Sequence, residues 1–235
     1  MGYRLLSVFL IISGQAIGQK IISNSGLFVA YNSLTPSVRA TISDRYYISG
    51  GTGTDGFEVG LFGSFKRRGC WEGQLSYLFS RYDLVIENRK WQEDLMQFGS
   101  ADLAGGIGST NRMIRFSVNR GFLVGRNFSL KSGVLGIMLI DDPHYKDWNE
   151  EDYEDWQKDM SYTVFEFGRS INRFMLSVEA AVSYYFGPLE ISFVLEGNVS
   201  PVMSQVAYHG QKYPVKYDYL MWTVGVNYTV FESKK

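Results

Sequence analysis

The sequence predicts an all-β fold: an eight-stranded antiparallel up-and-down transmembrane β-barrel with short periplasmic turns and long outer loops. Three observations carry it. Eight stretches alternate apolar and polar residues with a period of two, the joints between them alternate short and long, and an export signal precedes them. A strand sends successive side chains to opposite faces, so alternation of this kind marks a wall with one oily and one polar side. In a lipid-embedded barrel the oily side faces out.

Residues 1–18 read as a secretory signal peptide. Arg4 supplies the positive start, Leu5 to Ile12 is an apolar run too short to span a bilayer as a helix, and Ala16-Ile17-Gly18 offers small residues for cleavage after Gly18. Residues 19–235 then form one barrel domain. The only cysteine, Cys70, lies far from that cut, which excludes a lipid anchor there and any internal disulfide. A formal net charge of −1 gives no field directed at nucleic acid. Mean hydropathy is slightly negative, unlike that of helical membrane proteins. A barrel tolerates this because half of each strand faces a polar interior.

The first strand is expected near Gly26 to Leu34. The second, Phe57 to Lys66, sets Phe57, Val59, Leu61 and Phe65 against Glu58, Ser64 and Lys66. The third, Cys70 to Ile86, sets Trp71, Leu75, Tyr77 and Phe79 against Glu72, Gln74, Ser76 and Ser80. The fourth is Arg112 to Phe122, with Ile114, Phe116 and Val118 opposing Arg115, Ser117 and Asn119, and the fifth is Asn127 to Ile140. The sixth and seventh, Phe174 to Phe186 and Leu189 to Ser200, are the clearest, joined by Gly187-Pro188. The eighth is Tyr219 to Phe231. Arg67-Arg68-Gly69, Leu123 to Arg126 and Gly187-Pro188 are the short turns, and 35–56, 87–111, 141–173 and 201–218 are the long loops. An even strand count puts both ends of the barrel domain on the periplasmic side. Phe65, Trp71, Phe122, Phe128, Tyr184, Tyr185, Phe186, Tyr228 and Phe231 gather beside the short turns, as expected of an interfacial aromatic girdle.

On this register Glu58, Lys66, Glu72, Arg115, Lys131, Glu179, Glu190 and Glu196 face inward as a polar network. Eight strands enclose a space that side chains just fill, and charges there must pair. The third long loop holds Asp147, Trp148, Glu150, Glu151, Asp152, Tyr153 and Trp156, an acidic and aromatic surface suited to a partner. Its spacing does not match a calcium-binding EF-hand, so no metal and no cofactor is expected. Gly50 to Gly56 lacks the lysine and the setting of a phosphate loop. His144 and His209 are the only histidines, both in expected outer loops, and neither sits in a nucleophile motif.

Gly56 to Phe62, Trp71 to Ser80, the Tyr185-Phe186-Gly187-Pro188-Leu189 hairpin and the closing Val224 to Tyr228 resemble strands of the Bacteroidetes outer-membrane β-barrel group labelled PorT-like. The resemblance implies residence in the outer membrane of a Gram-negative bacterium. It implies no catalytic residues, and its namesake assists protein secretion. The expectation is therefore a non-enzymatic barrel whose partners are outer-membrane lipid and envelope or secretion proteins, with no nucleic acid. The alternatives are a soluble lipocalin-like barrel around an apolar ligand, and a lipid-modifying barrel enzyme using a loop histidine. A lipocalin has the opposite register and a Gly-x-Trp near its first strand, which this chain lacks there.

Overall fold

A computed structural model describes residues 22–42, 46–50, 54–65, 71–88, 104–141, 162, 165–166 and 168–232. They contain ten strands: β1 (Ile22–Ile42), β2 (Tyr46–Gly50), β3 (Thr54–Phe65), β4 (Trp71–Asn88), β5 (Ala104–Val124), β6 (Phe128–Asp141), β7 (Phe174–Phe186), β8 (Leu189–Asn198), β9 (Met203–Tyr208) and β10 (Gln211–Glu232). All pairings are antiparallel, and β1 pairs with β10 from Asn24↔Glu232 to Arg39↔Lys216, which closes the ring. The expected signal segment, the Arg67-Arg68-Gly69 turn and Lys66 lie outside the described residues.

Ten strands occupy eight positions around the wall. β2 and β3 run in the same direction and both lie between β1 and β4. β3 pairs with the first halves of the β1–β4 pair and β2 with the far ends, Arg39–Ile42 and Leu84–Asn88. β8 and β9 likewise share one side of β10, β8 along Leu220–Tyr228 and β9 along Gln211–Tyr217. Two of the eight positions are therefore interrupted, one between Gly50 and Thr54 and one at residues 199–202.

The expected loops 35–56, 87–111 and 201–218 are largely strand. β1 continues to Ile42, β5 begins at Ala104, and β9 and β10 form a hairpin across 203–218. The reason is physical. Past Leu34 the alternation continues with its polarity reversed: Pro36, Val38 and Ala40 are buried while Thr35, Ser37, Arg39 and Thr41 are exposed. Val215 and Tyr217 of β10 are buried and Lys216 is exposed, in the same sense. Outside the bilayer a barrel wall has an aqueous exterior, so apolar residues move to its inner face. The β9–β10 turn is His209-Gly210, with φ values of 46° and 78°. Two successive positive-φ residues match the twist of a tight hairpin.

Between these projections and the short turns, the exterior is apolar on every side. Leu27, Val29, Val59, Phe116, Leu130, Val134, Leu176, Val178, Val182, Ile191, Phe193, Val224 and Val226 are all exposed. A soluble lipocalin-like barrel would show the reverse, so the chain is a membrane-embedded barrel of the outer-membrane type. Phe65, Trp71, Phe122, Phe128, Tyr184, Phe186, Tyr228 and Phe231 ring the short-turn end, all exposed. Tyr185 departs from the expected girdle: alternation turns it inward, where its hydroxyl meets Ser129 Oγ at 3.3 Å. A second aromatic level, Tyr31, Phe57, Phe79 and Trp222, is tied by the Tyr31↔Phe57 and Phe57↔Phe79 pairs and a 5.7 Å Tyr31–Trp222 ring contact. Phe57 and Phe65 mark the two levels on one strand, roughly 20 Å apart along the axis at ~3.3 Å per residue and ~40° tilt.

Candidate functional site: the barrel lumen

The inner face carries two stacked layers. Nearer the short turns it is charged. Arg115 on β5 reaches Glu58 of β3 with one guanidinium nitrogen and Glu196 of β8 with the other. Ser76, the cross-strand neighbour of Arg115, donates to the other Glu58 oxygen. Tyr219 donates to Glu196 at 2.5 Å and exchanges a 2.7 Å hydrogen bond with Ser177. Lys131 on β6 lies 2.9 Å from Glu72 Oε2 and 2.5 Å from Glu190 Oε1, and Asn227 donates to Glu190 Oε2 at 3.2 Å. Both cations are buried. Each pair crosses the lumen between strands distant in sequence, so the network braces the wall from inside. A cavity of ≈ 40 Å³ remains among Glu58, Glu72, Arg115, Lys131 and Glu179, room for small solvent molecules and no more.

Asn119 donates to Glu179 at 2.6 Å across Gly133, which stands between them in register. A Cβ on Gly133 would lie 1.9 Å from Asn119 Oδ1 and 2.4 Å from the Val118 carbonyl. The backbone carbonyl cannot yield cheaply. Gly133→Ala is therefore expected to break the Asn119–Glu179 bond and lower unfolding stability by about 1–3 kcal/mol, the range for overpacking a filled core. Urea titration of the barrel in lipid vesicles measures it.

Above Arg115 the lumen turns apolar, which sequence reasoning missed. Leu34, Leu78, Met113, Leu135, Ile137, Met175, Tyr217 and Met221 form a buried cluster with Val202, Met203 and Val206. The pairs Leu34↔Met221, Leu78↔Met113 and Ile137↔Met175 set them side by side along the inner face. The sequence held a signal: Val134–Ile140, Phe174–Leu176 and Tyr219–Trp222 are apolar on both faces. Continuous apolar runs mark strands buried on two sides. Tyr162 and Ile171 pack on this cluster from the β6–β7 connection. Asn172 anchors that segment, its backbone N donating to Val202 O at 2.8 Å and its side-chain Nδ2 to Pro201 O at 2.7 Å. Tyr162 stacks on His209 at 5.2 Å. Burial, and then the charge of Glu166, push the Tyr162 hydroxyl above its ordinary value.

Of the expected network, Glu58, Glu72, Arg115, Lys131, Glu179, Glu190 and Glu196 come together in the lumen, and Lys66 lies outside the described residues. The acidic loop residues Asp147, Trp148, Glu150, Glu151, Asp152, Tyr153 and Trp156, together with His144, also lie outside them. Among the described residues no group of three or more His, Cys, Asp or Glu is arranged to hold a metal ion.

No protein-family model matches the sequence, and no curated protein matches it. Solved structures align with it at low identity and with low structural similarity scores. The outer membrane protein OprG from Pseudomonas aeruginosa is 9% identical, with 91% of this chain and 99% of that one covered and a TM-score of 0.45. Ail, the attachment invasion locus protein of Yersinia pestis, is 13% identical over 88% of this chain and 99% of its own, with a TM-score of 0.38. The N-terminal β-barrel domain of Pseudomonas aeruginosa OprF is 12% identical over 88% and 98%, with a TM-score of 0.33.

Proposed function

We propose that this chain is a non-enzymatic barrel of the outer membrane of a Gram-negative bacterium. It serves as an envelope structural protein, or as an accessory to protein secretion or surface binding through its long-loop end. The single observation that supports this reading is a lumen filled across its section, first by the Arg115 and Lys131 ion pairs and then by the apolar cluster. A barrel closed in two layers has no route for diffusing nutrients, which leaves its working surface on the outside. Above the apolar belt the wall continues in the order β9-β10-β1-β2-β4-β5, with a polar exterior that includes Arg39, Lys212 and Lys216. That projecting sheet and the acidic, aromatic loop 141–173 are the surfaces offered to envelope or secretion proteins. His209 stacks with Tyr162 and Tyr208 at the hairpin tip. The PorT-like resemblance favours the secretion-accessory role.

The test is recording in planar lipid bilayers after refolding, with heat-modifiable gel migration to certify the fold. A folded barrel should insert without steady conductance. Stable open-channel steps from the folded protein would overturn the sealed-lumen reading.

A further inference from the structure

The lipid-facing wall carries one polar pair. On β5, β6, β7 and β8 the outward positions from Ile114 to Phe122, Leu130 to Met138, Leu176 to Val182 and Ile191 to Leu195 are apolar or glycine, with two exceptions: Arg120 and Ser132. The two exceptions face each other in register, which sets their Cβ atoms about 5 Å apart. Both are exposed. A cation on the hydrocarbon face of a barrel is costly unless it meets the interface or a counter-charge.

Arg120 is not at the rim of the belt. Phe122 and Val124 continue the exposed apolar surface past it toward the Gly125-Arg126-Asn127 turn. Its guanidinium carbon lies 5.7 Å from the Trp71 ring centre and 5.2 Å from that of Phe122. The two rings fix the cation but supply no acceptor atom, so its five N–H donors have no partner among the described residues. No carboxylate occupies any of the outward positions around it. The missing counter-charge must come from the bilayer itself. Phe122 stands one outward position nearer the turn than Arg120, so the guanidinium tips toward the headgroups. The short Ser132 side chain stays deeper.

The geometry points to a binding site for one anionic phospholipid of the leaflet at the short-turn end, an assignment that rests on the membrane-embedded exterior. The guanidinium fork takes two oxygens of the phosphate. Ser132 donates to an ester carbonyl, which lies deeper than the phosphate in a glycerophospholipid. The acyl chain follows the register pair Val118 and Val134 toward the bilayer centre. A zwitterionic headgroup fits less well, because no outward acid is present to receive its cation.

The experiment uses the refolded full barrel in vesicles of equal phosphatidylglycerol and phosphatidylcholine. After flotation it is extracted in mild detergent and weighed with its retained lipid by native mass spectrometry. Heat-modifiable migration certifies the fold of each variant. The expected result is one retained phosphatidylglycerol per barrel, favoured about tenfold over phosphatidylcholine, the ratio one charge-assisted hydrogen bond supplies. Arg120→Gln should bring that ratio close to unity. Ser132→Ala should reduce the lipid retained and leave the ratio. Arg126→Gln removes an exposed charge from the neighbouring turn and should leave both. A ratio near unity in the unaltered barrel, a ratio unchanged in Arg120→Gln, retention unchanged in Ser132→Ala, or an equal loss in Arg126→Gln would each overturn the site as assigned. A folded chain that does not float with vesicles would overturn the membrane-embedded exterior and the site with it, so the two failures are told apart.

Discussion

Replacing Arg115 by Met should lower the unfolding free energy by about 3–5 kcal/mol, the cost of stranding buried charges. The guanidinium is the only described cation on both Glu58 and Glu196, and both carboxylates are about 1% exposed. Methionine fills similar volume but leaves two buried carboxylates without the guanidinium that both of them meet. The loss should be read as a lower urea midpoint in vesicles and an earlier onset of heat modification on gels. The charge argument has its own control. Adding Glu58→Gln and Glu196→Gln to Arg115→Met removes both stranded charges, so most of the lost stability should return. If the triple variant is no better than the single one, packing of the Arg115 stem dominates, and the bracing role of the ion pairs fails. Lys216→Met is the surface comparison. Its 3.5 Å pair with Asp218 is exposed, so the expected change is below about 1 kcal/mol.

The wall of the barrel was legible because one physical rule governs it. Lipid outside and a crowded interior inside force period-two alternation, and β7 spans Phe174–Phe186 as the alternation of Leu176, Val178 and Val182 with Ser177 and Glu179 requires. Where the outside medium changes, the same rule misleads. Thr35, Ser37 and Arg39 look like a loop to a search for outward oily residues, although Pro36, Val38 and Ala40 keep the strand period on the other face. The apolar upper lumen escaped for a related reason: when both faces are oily, alternation vanishes along Val134–Ile140. The network has a different limit. Periodicity assigns a face to each charge but not a partner. Arg115 meets residues 57 and 81 positions away, a pairing set by barrel closure and strand stagger. Gly133 became informative only once register placed it between Asn119 and Glu179.

The lipid-facing surface gives the second large effect, and it depends on depth. Val182 is 47% exposed in the middle of the belt, paired with Leu130 and Phe193, which are themselves outward. Val182→Arg should cost about 2–4 kcal/mol, as for arginine near a bilayer midplane, read by reversible urea titration in vesicles. Val230 is 67% exposed beyond Tyr228 at the short-turn girdle, so Val230→Arg should cost only about 0–1 kcal/mol, because its charge reaches the headgroup layer. The same substitution at two equally greasy positions isolates the medium from the residue. An aqueous exterior would make both changes nearly neutral, since a solvated arginine has no desolvation to suffer. A steep difference between them requires that Val182 touch hydrocarbon. It also fixes the membrane slab between the Trp222 and Tyr228 levels, because a slab displaced toward the projecting strands would leave Val182 near an interface and shrink its penalty.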